Sequence, residues 1–151
     1  MEQRVDLFKK GMNGMKPIFA MGAYLKSSTI EKGLLELIDY RISQINGCAY
    51  CLDMHAKDAR AHGETEQRLY AVSAWRETPF YTDRERAALA WAEAVNSNQV
   101  PKEVFARVKE IFSDEELIDL TLAVSNISTW NRLNLAFHPM EPGSYTVGQF
   151  G

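Results

Sequence analysis

Two cysteines and a histidine provide the side chains of this chain that are best suited to redox chemistry. Cys48 and Cys51 are its only cysteines, and His55 follows Cys51 by four positions, one turn along the same face of a helix. A histidine in that position accepts the thiol proton or stabilises the thiolate. Two thiols three positions apart at the start of a helix close into a disulfide with little backbone movement. The spacing therefore predicts a reactive dithiol centre.

The elements around the two cysteines are expected to act on both thiols. Asn46 and Gly47 end the preceding helix, so Cys48 lies at the N-terminus of the next one, where the partial positive charge favours a thiolate. Glu36 lies in an apolar stretch of the preceding helix, where partial burial suits a carboxyl group to general acid–base work. Because the connection is so short, the two helices should fold back on each other. We therefore predict a relay that runs from Glu36 through His55 to Cys51.

Other interpretations of the cysteine pair remain open on the residues alone. A zinc site could use both cysteines with His55 and either Glu36 or His62, since these are common zinc ligands. The cysteines could also be two small buried apolar side chains. A thioredoxin-type motif is disfavoured, because its cysteine pair follows a strand and the sequence shows none.

Helix signals follow one another along the whole chain, and no segment alternates apolar and polar residues as a half-buried strand does. Capping boxes are predicted at Ser28 with Glu31, Thr82 with Glu85 and Ser113 with Glu116. These and other signals predict the following helices: a short one at 16–26, Ser28 to Asn46, Cys48 to His62, one that is capped by Thr65, Asp83 to Asn96, Pro101 to Ile111, and Ser113 to Phe137. One face of the second helix carries Leu34, Leu37, Ile38, Ile42 and Ile45. The helix after Thr65 carries Leu69, Val72 and Trp75.

The sequence thus predicts an all-α protein of six or seven helices, with residues 1–151 forming a single domain. The tail from Glu141 onward is expected to be an extended arm. Asn131 and Asn134, one turn apart on the last helix, are expected either to take part in a subunit contact or to face water. His62 is expected simply to lie at a helix end, where a cation suits the helix dipole.

Composition narrows the classes of function. Hydrophobic residues make up 46% of the 151 residues and charged ones 25%, as in ordinary globular domains. The net charge is −3 and no basic block stands out, which argues against a nucleic-acid partner. The apolar stretch near the N-terminus is too short to span a membrane, and a signal peptide is a poor fit. We expect a cytoplasmic protein, where a close cysteine pair is more often catalytic or metal-binding than structural.

Glu36, Cys48, Cys51 and His55 together form an E-x11-C-x2-C-x3-H pattern. This pattern and the segment NGCAYCLDMHAKDARAHG at 46–63 resemble the AhpD-like alkylhydroperoxidase family, within the carboxymuconolactone decarboxylase superfamily. The segment TPFYTDRERAALAWAEAV at 78–95 and NRLN at 131–134 resemble one of its subgroups. The resemblance covers residues 34–136, which would form the catalytic core.

The resemblance implies an all-α homo-oligomer, a trimer or hexamer, that needs no cofactor and reduces hydroperoxides with a dithiol donor. Cys51 would be the peroxidatic cysteine and Cys48 the resolving one, with Glu36 and His55 as the proton relay. The prototype of the family has a histidine where this chain has Tyr50, and tyrosine is a poor base near neutral pH. Two alternatives therefore stay open, a non-peroxidase member such as a lactone decarboxylase and a redox-sensing stress module.

Overall fold

The computed structural model describes residues 2–150, and within them it contains helices and turns but no strand. The predicted all-α class is therefore confirmed. The helices are α1 (Leu7–Lys26), α2 (Lys32–Asn46), α3 (Ala49–Ala61), α4 (Glu66–Ala71), a 3-10 helix (Val72–Glu77), α5 (Asp83–Asn96), α6 (Lys102–Lys109) and α7 (Asp114–Phe137). No helix within the described part is both long and apolar enough to cross a membrane.

The apolar face of α2 lies at the centre of the main core. Leu34, Leu37, Ile38 and Ile42 are buried as predicted, whereas Ile45, the last residue expected on that face, is exposed. The larger apolar cluster joins α2 to α5, α6 and α7. The smaller cluster joins Leu37 to residues of α5 and of the segment 72–81. Since α2 contributes to both clusters, its position is fixed on both sides.

Helix starts agree with the sequence where the cap is local. Both Thr82 with Glu85 and Ser113 with Glu116 form complete capping boxes, and Thr65 accepts a hydrogen bond from the Arg68 amide. The capping box predicted at Ser28 is wrong, because Glu31 is itself the N-cap of α2 and makes no side-chain cap. The Glu31 carboxylate instead pairs with Arg84 at 2.8 Å.

Other helix boundaries also differ from the prediction. The first helix starts at Leu7, not near Lys16, because Asp6 accepts a hydrogen bond from the Lys9 amide at 3.0 Å and caps it. Pro17 lies inside this helix at an exposed position, where the carbonyl left unpaired one turn earlier can be solvated. The helix predicted after Thr65 divides at Val72 into α4 and the 3-10 helix. The sixth helix ends at Lys109, and Pro101 is its N-cap, not its first residue.

The C-terminal tail is not an extended arm. Among residues 141–150 the structure shows turns, and Tyr145 is buried. Its hydroxyl donates a hydrogen bond to the Asp58 carboxylate at 2.8 Å. The tail was predicted to be extended because the residues that hold it lie far away in the sequence. Gly151, the last residue of the predicted arm, lies outside the described residues.

A buried polar network fixes the ends of α2, α5 and α7 to one another. Asn131, which is 0% exposed, donates to the Ser43 hydroxyl at 3.0 Å and accepts from the Asn46 amide at 2.9 Å. Asn46 and Asn96 exchange two further hydrogen bonds, and Ser128 donates to Asn96. Asn131 therefore neither meets water nor needs a partner subunit, contrary to both expectations.

Replacing Asn131 by alanine tests the strength of this network. We expect the free energy of unfolding to fall by about 2–3 kcal/mol, because the Ser43 hydroxyl and the Asn46 amide lose a buried partner. Urea denaturation measures this change. Asn126→Ala is the matched control, since Asn126 is on the same helix and its side-chain oxygen has no hydrogen-bond partner. Equal losses in the two variants would contradict the proposed role of the network.

Candidate functional site

The two cysteines form a disulfide at the start of α3. Gly47 adopts φ 72°, a left-handed conformation that ends α2, and Cys48 is the N-cap of α3. The Cα atoms of Cys48 and Cys51 are 5.3 Å apart, and the backbone amide of Cys51 donates to the Cys48 sulfur at 3.4 Å. Each cysteine is only 1% exposed. The structure therefore shows the oxidised form of the pair, at the helix terminus where the sequence predicts it.

The short connection also brings Glu36 to His55, as expected. The Nδ1 atom of His55 lies 3.2 Å from the Glu36 carboxylate, and both side chains are largely buried. This contact joins α2 to α3. The other ring nitrogen of His55, Nε2, is buried and has no hydrogen-bond partner within residues 2–150. In this disulfide form the ring is therefore not hydrogen-bonded to Cys51. The relay to the sulfur is therefore only partly assembled.

A second carboxylate, Asp39, also faces the histidine. Its carboxylate lies 3.9 Å from His55 Nδ1, and its side chain is 25% exposed. Asp39 is not among the site residues predicted from the sequence. The signal was nevertheless present, because Asp39 follows Glu36 by three positions and shares its face of α2.

The acidic surroundings change the pKa values of the site. Burial raises the pKa of Asp39 to about 7, with Glu36 adding to the rise and His55 opposing it. For His55, burial lowers the pKa, but Asp39, Glu36 and Asp58 outweigh it and the net pKa is raised. Because both pKa values are raised, the native site holds these protons to a higher pH than the separate groups would.

Tyr50 does not replace the missing histidine as a base. Burial, together with Asp53 and Asp58, raises its pKa to about 12, so it stays a neutral phenol. Its hydroxyl is buried and makes no hydrogen bond to any described residue. Tyr50 can therefore donate a hydrogen bond at this site. It cannot act as a base, because its phenolate does not form near neutral pH.

Asn134 reaches the disulfide from α7. Its side-chain nitrogen lies 3.8 Å from the Cys51 sulfur, within the range of a weak N–H···S hydrogen bond. From the sequence, Asn134 was expected either to take part in a subunit contact or to face water. Neither expectation included this contact with Cys51, which is 83 residues away in the sequence.

The C-terminal tail packs on α3 beside the site. Lys57 donates to the carbonyl of Tyr145 at 3.0 Å and also pairs with Asp53 at 2.8 Å. The backbone amide of Gly143 donates to the same Asp53 carboxylate at 3.0 Å. With the contact from Tyr145 to Asp58, these bonds attach the tail to the face of α3 that carries its charged residues.

The arrangement of the possible ligands does not support the alternative of a zinc site. His62 is exposed at the C-terminal end of α3, a full helix away from the cysteines at its start. Within the part of the chain that the structure describes, no three His, Cys, Asp or Glu side chains are arranged to hold a metal ion.

Known proteins resemble the chain over most of its length. The model of the carboxymuconolactone decarboxylase family matches residues 15–94. The uncharacterised protein YdfG of Bacillus subtilis is 45% identical over 139 residues, which cover 90% of this chain and 95% of that protein. The alkyl hydroperoxide reductase AhpD of Hyphomonas neptunium is 42% identical over 43 residues, 28% of this chain and 24% of AhpD.

A solved structure shows the same architecture. It is a protein of unknown function from Agrobacterium tumefaciens, assigned provisionally as the antioxidant defence protein AhpD. The two chains are 39% identical and superpose with a TM-score of 0.88, over 93% of this chain and 99% of the other. The AhpD-like fold is therefore shared over nearly the whole length.

The raised pKa values predict how stability depends on pH. Asp39 has a folded pKa of about 7 against an ordinary 3.8, so between these values the native state holds a proton that the unfolded state has lost. The raised pKa of His55 acts in the same direction above 6.5. Stability should therefore fall as pH rises through this window. Asp39→Asn should flatten the fall by about 1–2 kcal/mol between about pH 5 and about pH 8.

Urea denaturation at the two pH values measures this slope. Asp83→Asn is the matched control, because it removes the same charge from an exposed position at the start of α5. A slope for Asp39→Asn equal to those of the control and the wild type would show that Asp39 does not carry the effect.

Proposed function

The chain belongs to the carboxymuconolactone decarboxylase family and has its AhpD-like fold, and we propose that it is a thiol-dependent peroxidase that reduces alkyl hydroperoxides. The observation that carries the proposal is the disulfide between Cys48 and Cys51 at the start of α3, one helical turn from a histidine that is paired with Glu36. This combination offers a thiol pair that closes without rearrangement and a buried acid–base group beside it.

In the first step, the Cys51 thiolate attacks the terminal oxygen of the hydroperoxide. The O–O bond breaks, Cys51 becomes a sulfenic acid, and the alkoxide leaves. A proton must be delivered to the alkoxide to give the alcohol. His55 is suited to supply it, because the acidic partners on its Nδ1 side favour the protonated ring, and its Nε2 has no competing partner.

In the second step, the Cys48 thiol condenses with the sulfenic acid. The S–S bond forms and the sulfenic oxygen leaves as water, which gives the disulfide of the structure. A dithiol donor then reduces the disulfide by two thiol–disulfide exchanges, becomes a disulfide itself, and restores both thiols. The position of Cys48 at the N-cap favours its thiolate in these exchanges.

Glu36 and Asp39 have a supporting role in this proposal. Glu36 orients the ring through the 3.2 Å contact with Nδ1, and the Asp39 carboxyl group lies 3.9 Å from the same nitrogen. Glu36 stabilises the imidazolium that forms when His55 takes a proton from Cys51, and Asp39 adds to this effect above about pH 7, where it is ionised. The groups that support the acid–base role of His55 thus lie on α2, on the Nδ1 side of the ring, and not at position 50.

We also propose a homo-oligomer located in the cytoplasm, the compartment that maintains reduced dithiol donors. The rings of Phe19 on α1 and Trp130 on α7 pack in a tilted arrangement, with centroids 5.0 Å apart. Phe19 is exposed, as are Met12 and Leu135 on the same two helices. Exposed apolar side chains on two helices that pack together support a subunit contact there, which fits the trimer or hexamer implied by the family resemblance.

Hydroperoxide consumption by the reduced protein tests the proposal. With tert-butyl hydroperoxide and a dithiol such as dithiothreitol, we expect steady turnover by the wild type and a loss of at least about 100-fold in Cys51→Ser. Reduced Cys48→Ser, freed of dithiothreitol before the hydroperoxide is added, should consume one equivalent and then stop, because no thiol is left to condense with the sulfenic acid. Mass spectrometry of the peptide that contains both cysteines should show the disulfide in the wild type only.

Three other results would each contradict this proposal. Full turnover in Cys51→Ser would mean that Cys51 is not the attacking thiol. Rapid disulfide formation with negligible turnover for every dithiol tried would favour a redox-sensing module. Lactone decarboxylation that survives replacement of both cysteines would favour the decarboxylase alternative, because that chemistry does not need the pair.

A further inference from the structure

The side chain of Asn134 reaches the proposed attacking sulfur from α7. Its Nδ2 atom lies 3.8 Å from Cys51 Sγ. Cys51 is 1% exposed, whereas Asn134 is only partly buried, so Asn134 is the member of this contact nearer to solvent.

The helix backbone fixes the orientation of the Asn134 amide. Nδ2 also donates to the carbonyl of Trp130, one turn earlier, at 2.9 Å. If the amide were flipped, its oxygen would face the carbonyl oxygen and lose this bond. One N–H is therefore committed to Trp130, and the nitrogen's second hydrogen remains for the sulfur.

The same orientation leaves the Asn134 oxygen without a partner. Oδ1 is buried and accepts no hydrogen bond from any described residue. A buried acceptor left without a donor is costly and uncommon, unless a ligand or a reaction intermediate supplies the donor. A hydroperoxide and a sulfenic acid each carry one O–H group, and in the proposed reaction both bring it to Cys51.

We propose that Asn134 is a further catalytic residue of this site, whose amide N–H stabilises the Cys51 thiolate and whose Oδ1 accepts the O–H of the bound hydroperoxide. The second half of this inference rests on the proposed function. When the thiolate attacks the terminal oxygen, the O–O bond breaks and that oxygen keeps its hydrogen, so the same bond to Oδ1 persists in the sulfenic acid. The amide itself gives up and takes no proton.

The titration of Cys51 tests the donor half directly. In reduced Cys48→Ser protein, Cys51 is the remaining thiol, and its thiolate is followed by ultraviolet absorbance against pH. Adding Asn134→Ala should move the titration midpoint upward by about one pH unit, a tenfold loss of thiolate below the midpoint, because a hydrogen bond to a charged sulfur is lost. Asn134→Asp should move it further, since it replaces the donor with a negative charge.

Asn126→Ala is the matched control. Asn126 lies two turns earlier on α7 and its oxygen likewise has no partner, but its amide approaches Gly22 of α1, not the disulfide. This variant should leave the midpoint unchanged and the rate of reaction with tert-butyl hydroperoxide within about twofold. Both Asn134 variants should slow that reaction by about tenfold or more.

The outcomes separate this inference from the proposed function. If Asn134→Ala and Asn126→Ala give the same Cys51 midpoint, Asn134 does not act on the sulfur and the inference is overturned. If the parent protein consumes no hydroperoxide, the peroxidase proposal and the role of Oδ1 fail, while the midpoint still decides whether the amide stabilises the thiolate. Should the alanine variant fail to fold, the nearly isosteric and uncharged Asn134→Leu decides by the same titration, because it removes the donor without adding a charge.

Discussion

The reversal of the chain at Asn46 and Gly47 is the constraint from which the geometry of the site follows. Gly47 adopts the left-handed conformation that ends α2, and Cys48 immediately caps α3, so two helices meet with almost no slack between them. The Asn46 side chain is held in turn by Asn96 and Asn131, which fixes the corner to α5 and α7. A longer or looser connection would let α3 rotate on α2, and both the contact between Glu36 and His55 and the approach of Asn134 to Cys51 would be lost.

Two faces of α2 have different roles, one in the core and one in the site. One face supplies Leu34, Ile38 and Ile42 to the main core, while Glu36 and Asp39 project toward α3. Burying a histidine against two carboxylates while Nε2 remains unpaired costs on the order of 1–3 kcal/mol. The apolar contacts of the same helix offset that cost, which is how a small domain can retain a polar site that does not stabilise it.

Local signals predicted most of this architecture from the sequence. The capping boxes at Thr82 and Ser113, the Asn46-Gly47 break and the positions of Cys48, Cys51 and His55 all depend on residues within one or two turns of each other. Where the prediction failed, a distant partner decided the outcome. The Glu31 carboxylate forms an ion pair with Arg84 and is not used in a capping box. The Tyr145 hydroxyl donates a hydrogen bond to Asp58, which is 87 residues away in the sequence. Asp39 was within reach of sequence reasoning, but its proximity to His55 required the exact packing angle of two helices.

A cysteine pair at a helix N-terminus occurs in unrelated folds, so the motif alone does not determine the chemistry. The helix start acts on Cys48 through backbone groups, which no substitution removes while the helix persists. The surroundings of Cys51 are different, because they consist of side chains. His55 lies one turn further along α3 and is paired with Glu36 on α2, and Asn134 lies on α7. Side chains change without changing the fold. Within this architecture, differences in reactivity between related proteins should therefore arise at the positions of α2 that face His55 and of α7 that face Cys51, and much less at the cysteine pair itself.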